Sequence, residues 1–85
     1  MADVRGELQR FVNNSLGSDL ATDANVFDNG ATSLFAIELV TFIEKTFGVQ
    51  LDDADLEPEN FSSVDAMTLL SERKLAASAS PPNVQ

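Results

Sequence analysis

Apolar residues recur at helical spacing in three stretches of the chain, and polar residues between them mark where each stretch stops. Val4, Leu8, Phe11, Val12 and Leu16 fall on one side of a helix over residues 3–16, with Arg5, Glu7, Gln9, Arg10 and Asn13 turned outward. Asp3 stands where an N-cap belongs, and Gly17 where a left-handed C-terminal residue belongs. A second run, from Ser33 to Phe47 and stopped by Gly48, gathers Ala36, Leu39, Val40, Ile43 and Phe47 on one face, which Phe42 widens. A third helix, capped by Ser62 or Ser63, runs to about Leu75, with Val64, Met67, Leu70 and Leu75 on its apolar side. Asp65 in its first turn and Arg73 and Lys74 in its last suit the helix dipole.

The segments between these runs read differently. Residues 17–32 have no sustained period and are rich in Asp, Asn, Ser, Thr and Gly, so they form a long loop with Leu20, Val26 and Phe27 as its anchors. A loop of that length in a small domain tends to be functional. Residues 48–55 make a second connection with Val49 and Leu51 pointing inward, and residues 56–61 a single short helical turn with Pro58 near its start. The acids there do not make a calcium loop: starting from Asp53, Pro58 stands where the sharp turn needs Gly, and no Glu closes the loop. The pattern predicts an all-α protein, a small four-helix bundle of three longer helices and one short one, with a long loop between the first and second. The domain is expected to occupy residues 1–75, and residues 76–85, with Ala-Ser-Ala-Ser-Pro-Pro, to form a flexible tail.

Composition narrows the function. Eighty-five residues suffice for one small core. Fourteen acids against five bases give a formal net charge of −9, which disfavours nucleic acid and anionic membranes; the acids either complement basic protein surfaces or simply keep a small domain soluble. No apolar run approaches the roughly 20 residues that span a bilayer. The N-terminus lacks the apolar region of a signal peptide, so a cytoplasmic monomer is expected. The absence of Cys and His removes disulfides, thiolate metal sites and two of the commonest routes to an activated nucleophile, so neither an enzyme nor a metal site is expected.

One stretch stands out, Phe27-Asp28-Asn29-Gly30-Ala31-Thr32-Ser33-Leu34, which turns at Asp-Asn-Gly and opens the most apolar helix. Ser33 therefore sits at a helix N-terminus, where free N–H groups and the helix dipole stabilise a phosphate ester. The alternative is that Ser33 or Thr32 is an ordinary N-cap. Beyond Ser33 the helix presents Leu34, Ile37, Glu38, Thr41, Glu44 and Lys45 in one row, apolar residues mixed with charges, as a partner-binding surface would; the alternative is an ordinary solvated face that exposes one or two apolar residues without a role.

The segment Gly30-Ala31-Thr32-Ser33-Leu34, followed by Ile37-Glu38-Leu39-Val40, resembles the acyl carrier protein signature, G-x-D-S-L and then an apolar–Glu–Leu run. The resemblance extends from about residue 4 to 75 through the helix order, the long first loop, Phe47-Gly48-Val49 and the acidic balance. It implies that a phosphopantetheinyl transferase attaches 4′-phosphopantetheine from coenzyme A to Ser33, and that the arm's thiol carries an acyl group as a thioester. It also implies docking of acyl-loading and acyl-processing enzymes (an acyltransferase, dehydrogenase or ketosynthase) on Thr32, Leu34, Ile37, Glu38, Thr41 and Glu44. Thr32 departs from the family's Asp, Phe35 stands where many fatty-acid carriers have an acid, and Ala31 does not fit the Gly-Gly-x-Ser of peptidyl carriers. The run from Ser33 to Phe42 is most similar to small discrete carriers of polyketide pathways, including those for glyceryl-derived methoxymalonyl extender units. The initiating Met and short tail lead to the same expectation of a free-standing carrier. Two other readings stand beside it: an aminoacyl or peptidyl carrier, and an acidic helical adaptor with Ser33 unmodified.

Overall fold

The computed structural model describes residues 3–79. Its three α-helices are α1 (Val4–Leu16), α2 (Ser33–Phe47) and α3 (Val64–Ala79). Three 3-10 turns, Phe27–Asn29, Asp53–Asp55 and Pro58–Phe61, lie between them, with no strand among the described residues. The fold is all-helical, but the expected fourth helix is only a four-residue 3-10 turn, Pro58–Phe61. So short a piece cannot recover the cost of nucleating an α-helix, and the tighter turn closes its hydrogen bonds sooner.

Caps set the helix limits where the sequence pattern predicts them. Asp3 accepts from the Gly6 N–H at 3.1 Å, and its carboxylate lies so close over Gly6 that a β-carbon there would collide with it. Gly6 thus trades helix propensity for room under the cap. Ser63 caps α3 through the Ala66 N–H at 3.1 Å.

Leu8 and Val12 of α1, Leu39 and Ile43 of α2, and Met67 and Leu70 of α3 are completely buried. α1 packs closely along α3. It meets α2 through phenylalanine rings: Phe11 stacks on Phe42 at a centroid distance of 4.4 Å and tilts against Phe35 at 5.9 Å, and Phe42 meets Phe47 edge-on at 6.3 Å. Thr68, also buried, returns its hydroxyl hydrogen bond to Val64 O at 2.7 Å, whereas the buried Ser71 hydroxyl finds no partner among the described residues.

Three expectations change. Phe35, placed at an apolar helix entry by the sequence, is a core residue, 4% exposed, and the buried line of α2 is Phe35, Leu39 and Ile43, with Ala36, Val40, Phe42 and Phe47 partly covered beside it. Phe27, expected to anchor the first loop, is 37% exposed, and Val26 does the anchoring. Finally, α3 runs past Leu75 to Ala79, so Arg73 and Lys74 are not in its last turn. The expected tail begins within that helix, and its residues 80–85 lie outside the described residues.

Candidate functional site

The first loop is irregular in sequence yet tied down by its backbone. Val26 N–H donates to Ser62 O at 2.8 Å, and Asp65 N–H, at the start of α3, donates to Thr22 O at 2.9 Å. The side-chain oxygen of Asn25 accepts from the N–H groups of Phe27 (2.8 Å) and Asp28 (3.2 Å), which starts the 3-10 turn Phe27–Asn29. Gly30 ends that turn at φ +105°, a conformation that a residue with a β-carbon adopts only under strain. Ala31 N–H then closes back onto Val26 O at 3.0 Å, and the chain enters α2.

Thr32 is extended and caps the helix, its hydroxyl oxygen accepting from the Phe35 N–H at 3.4 Å and its carbonyl from the Ala36 N–H at 3.1 Å. The cap role therefore falls to Thr32 and not to Ser33. Ser33 is the first helical residue, exposed, and its hydroxyl makes no hydrogen bond to a described residue. The N–H groups of Ser33 and Leu34 are likewise unpaired among the described residues, which leaves donors at the positive end of the helix beside a free hydroxyl. A phosphodiester on Ser33 fits that setting.

An open apolar cleft of about 740 Å³ adjoins Ser33, within the usual range for small-molecule sites of roughly 300–1,000 Å³. Ser33, Ala36, Ile37 and Val40 line it from α2, while Leu56, Pro58 and Phe61 form the facing wall, and Phe27 and Ala31 come from the first loop. Of the five exposed large apolar residues among those described, Phe27, Ile37 and Leu56 line this cleft; Leu34, next to Ser33 in the chain, and Leu69 do not. Such a concentration of apolar surface marks an interaction site.

Thr32, Leu34, Ile37, Glu38 and Thr41 are all exposed, the last four along the outer side of α2. Glu44 is different. It is partly buried, and its carboxylate accepts from the Leu51 N–H at 2.9 Å, so it braces the second connection. The sequence pattern did not disclose this, nor the position of Lys74. Its ammonium lies 2.8 Å from Asp55 Oδ2 and 3.1 Å from Asp52 Oδ2. Lys74 holds the Asp55 carboxyl below its ordinary pKa, helped by the Asp52 N–H, and Asp55 and Asp52 in turn push Lys74 up. The one sequence signal for this pair was an acid cluster facing a base that a longer α3 moves inboard of the helix end.

The family described as Phosphopantetheine attachment site matches residues 3–70. The chain is similar to Aminoacyl carrier protein 1 of Bradyrhizobium diazoefficiens, 30% identical over 70 residues that cover 76% of this chain and 78% of that protein. It is similar to Aminoacyl carrier protein 2 of the same organism, 34% identical over 64 residues, 75% of this chain and 68% of that one. It is also similar to the Acyl carrier protein of Thermotoga maritima, 34% identical over 77 residues, 86% of this chain and 93% of that one.

Proposed function

Because this chain belongs to the phosphopantetheine attachment family of acyl and aminoacyl carrier proteins, we propose that Ser33 is the residue that carries the 4′-phosphopantetheine arm. Members of this family are carriers and not catalysts, and their cofactor is covalently attached. The observation behind the choice of Ser33 is the division of labour at the start of α2, in which Thr32 caps the helix and leaves the Ser33 hydroxyl exposed and unbonded. Thr32 performs the capping that the family's Asp would, without its charge. The arm, once attached, supplies the thiol that a chain without cysteine lacks and holds its cargo as a thioester. The carrier domain spans residues 1–75 in this reading.

Carrier proteins act through a phosphopantetheinyl transferase and acyl-processing enzymes. We place their docking on the exposed side of α2, at Thr32, Leu34, Ile37, Glu38 and Thr41, with Glu44 contributing by bracing the loop beside it. The cargo is an acyl group of polyketide or related biosynthesis, a glyceryl-derived methoxymalonyl extender unit among the candidates, which the run from Ser33 to Phe42 supports. A second reading, an amino acid as cargo, is favoured by the two aminoacyl carrier relatives. Offering the arm-bearing protein acyl-coenzyme A donors with an acyltransferase, and amino acids with an adenylating ligase, separates the two by intact mass. Acyl loading alone is expected; loading by amino acids alone would reassign the cargo.

A further inference from the structure

The facing wall of the cleft is anchored at its far end by apolar packing, where the turn Pro58–Phe61 lies against α3 and Phe61 is buried, and its nearer end is held by few polar contacts. Between Val49, buried at 6% exposure, and Phe61, at 4%, the segment has no α-helix, and Leu56 stands 46% exposed. Among the described residues its polar ties to the helices are two: Leu51 N–H to Glu44 of α2, and Asp52 and Asp55 to Lys74 of α3. Asp55 is the hub of the second tie. Its carboxylate accepts from the Asp52 N–H at 2.8 Å as well as from Lys74, and its carbonyl accepts from the Asn60 side chain at 2.9 Å. The next residue is Leu56, where the wall begins. From Leu56 to Glu59 no hydrogen bond reaches another helix among the described residues.

The Lys74 pair also differs in kind from the other two ion pairs among the described residues. Arg5–Asp65 and Arg10–Glu7 are exposed pairs, with side chains 39–64% accessible. Lys74 and Asp55 are 20% and 14% accessible, so solvent and salt screen them less and the geometry they impose is firmer. We propose that Lys74 is a positioning residue for recognition at Ser33: it latches the second wall of the cleft to α3, so that a partner enzyme meets Ser33 beside a cleft of fixed width. The part concerning recognition rests on the Ser33 reading above; the latch itself does not.

The test compares wild type, Lys74→Gln and Lys74→Arg in transfer of phosphopantetheine from coenzyme A by a phosphopantetheinyl transferase. Lys74→Gln should raise KM for the carrier roughly three- to tenfold with kcat within about twofold, and Lys74→Arg should stay near wild type. The sign is diagnostic. Removing a positive charge makes the chain more acidic, and long-range attraction to a basic partner would then lower KM. Amide hydrogen exchange at residues 56–61 should quicken in Lys74→Gln while the helix amides of α1 hold their protection. A KM equal to or below that of wild type overturns the proposal. If the unaltered chain takes no phosphopantetheine, the Ser33 reading fails, and exchange decides the latch: no acceleration at residues 56–61 overturns it as well.

Discussion

Replacing Phe35 with alanine should cost about 3–5 kcal/mol of stability, because it empties a packed position and exposes no compensating polar group. Phe35 is 4% exposed and its ring tilts against Phe11 at 5.9 Å, in the aromatic layer that joins α1 to α2. A domain of this size holds only roughly 4–13 kcal/mol in total, so the loss is a large share. Tm should fall by roughly 15–30 °C, read by circular dichroism or calorimetry. The effect reaches the functional corner as well. The Phe35 N–H is the donor that Thr32 caps, so the packed ring holds the first turn of α2 where Ser33 is displayed. A fall of less than about 5 °C would mean that the layer can close over the gap, and that Phe35 is not a keystone of the core.

Replacing Ile37 with glutamate should leave the fold intact and slow phosphopantetheine attachment by at least about tenfold in kcat/KM. Ile37 is 64% exposed, so the substitution buries no charge in the free protein. It lines the cleft beside Ser33, where a docked enzyme would have to desolvate the new carboxylate. Leu69→Glu is the matched control. Leu69 is 60% exposed and does not line the cleft, so Leu69→Glu adds the same charge at similar exposure outside it. Equal rates for the two variants would move the docking surface off α2.

The sequence made the helices and their stops legible because capping residues and glycines act locally. Asp3, Gly17 and Gly48 take the positions their chemistry suggests, and α2 runs from Ser33 to Phe47 as its period predicts. The phase of α2 was less accessible. Leu34, Phe35, Ala36, Ile37, Leu39 and Val40 put apolar residues nearly all round the first turns, and only packing on α1 and α3 decides that Phe35 goes in while Leu34 and Ile37 stay out. Loops were hardest to read. Val26 and Phe27 are adjacent and both apolar, yet the hydrogen bond from Val26 to Ser62 turns one inward and leaves its neighbour at the surface. Ser33 could be recognised from its motif, but its freedom could not. That depends on Thr32 taking the cap, which two adjacent hydroxyl residues leave undecided until the backbone is seen. The Lys74 latch was hidden for a similar reason, since it joins residues more than 18 positions apart and depends on how the second connection packs on α3.

Intact mass before and after incubation with coenzyme A and a promiscuous phosphopantetheinyl transferase, run on the unaltered chain and on Ser33→Ala, bears most directly on whether Ser33 carries the arm. A gain of one phosphopantetheinyl group on the unaltered chain and none on Ser33→Ala is expected, with both proteins equally folded. Modification of Ser33→Ala, or no gain on an unaltered chain known to start without the arm, would contradict it.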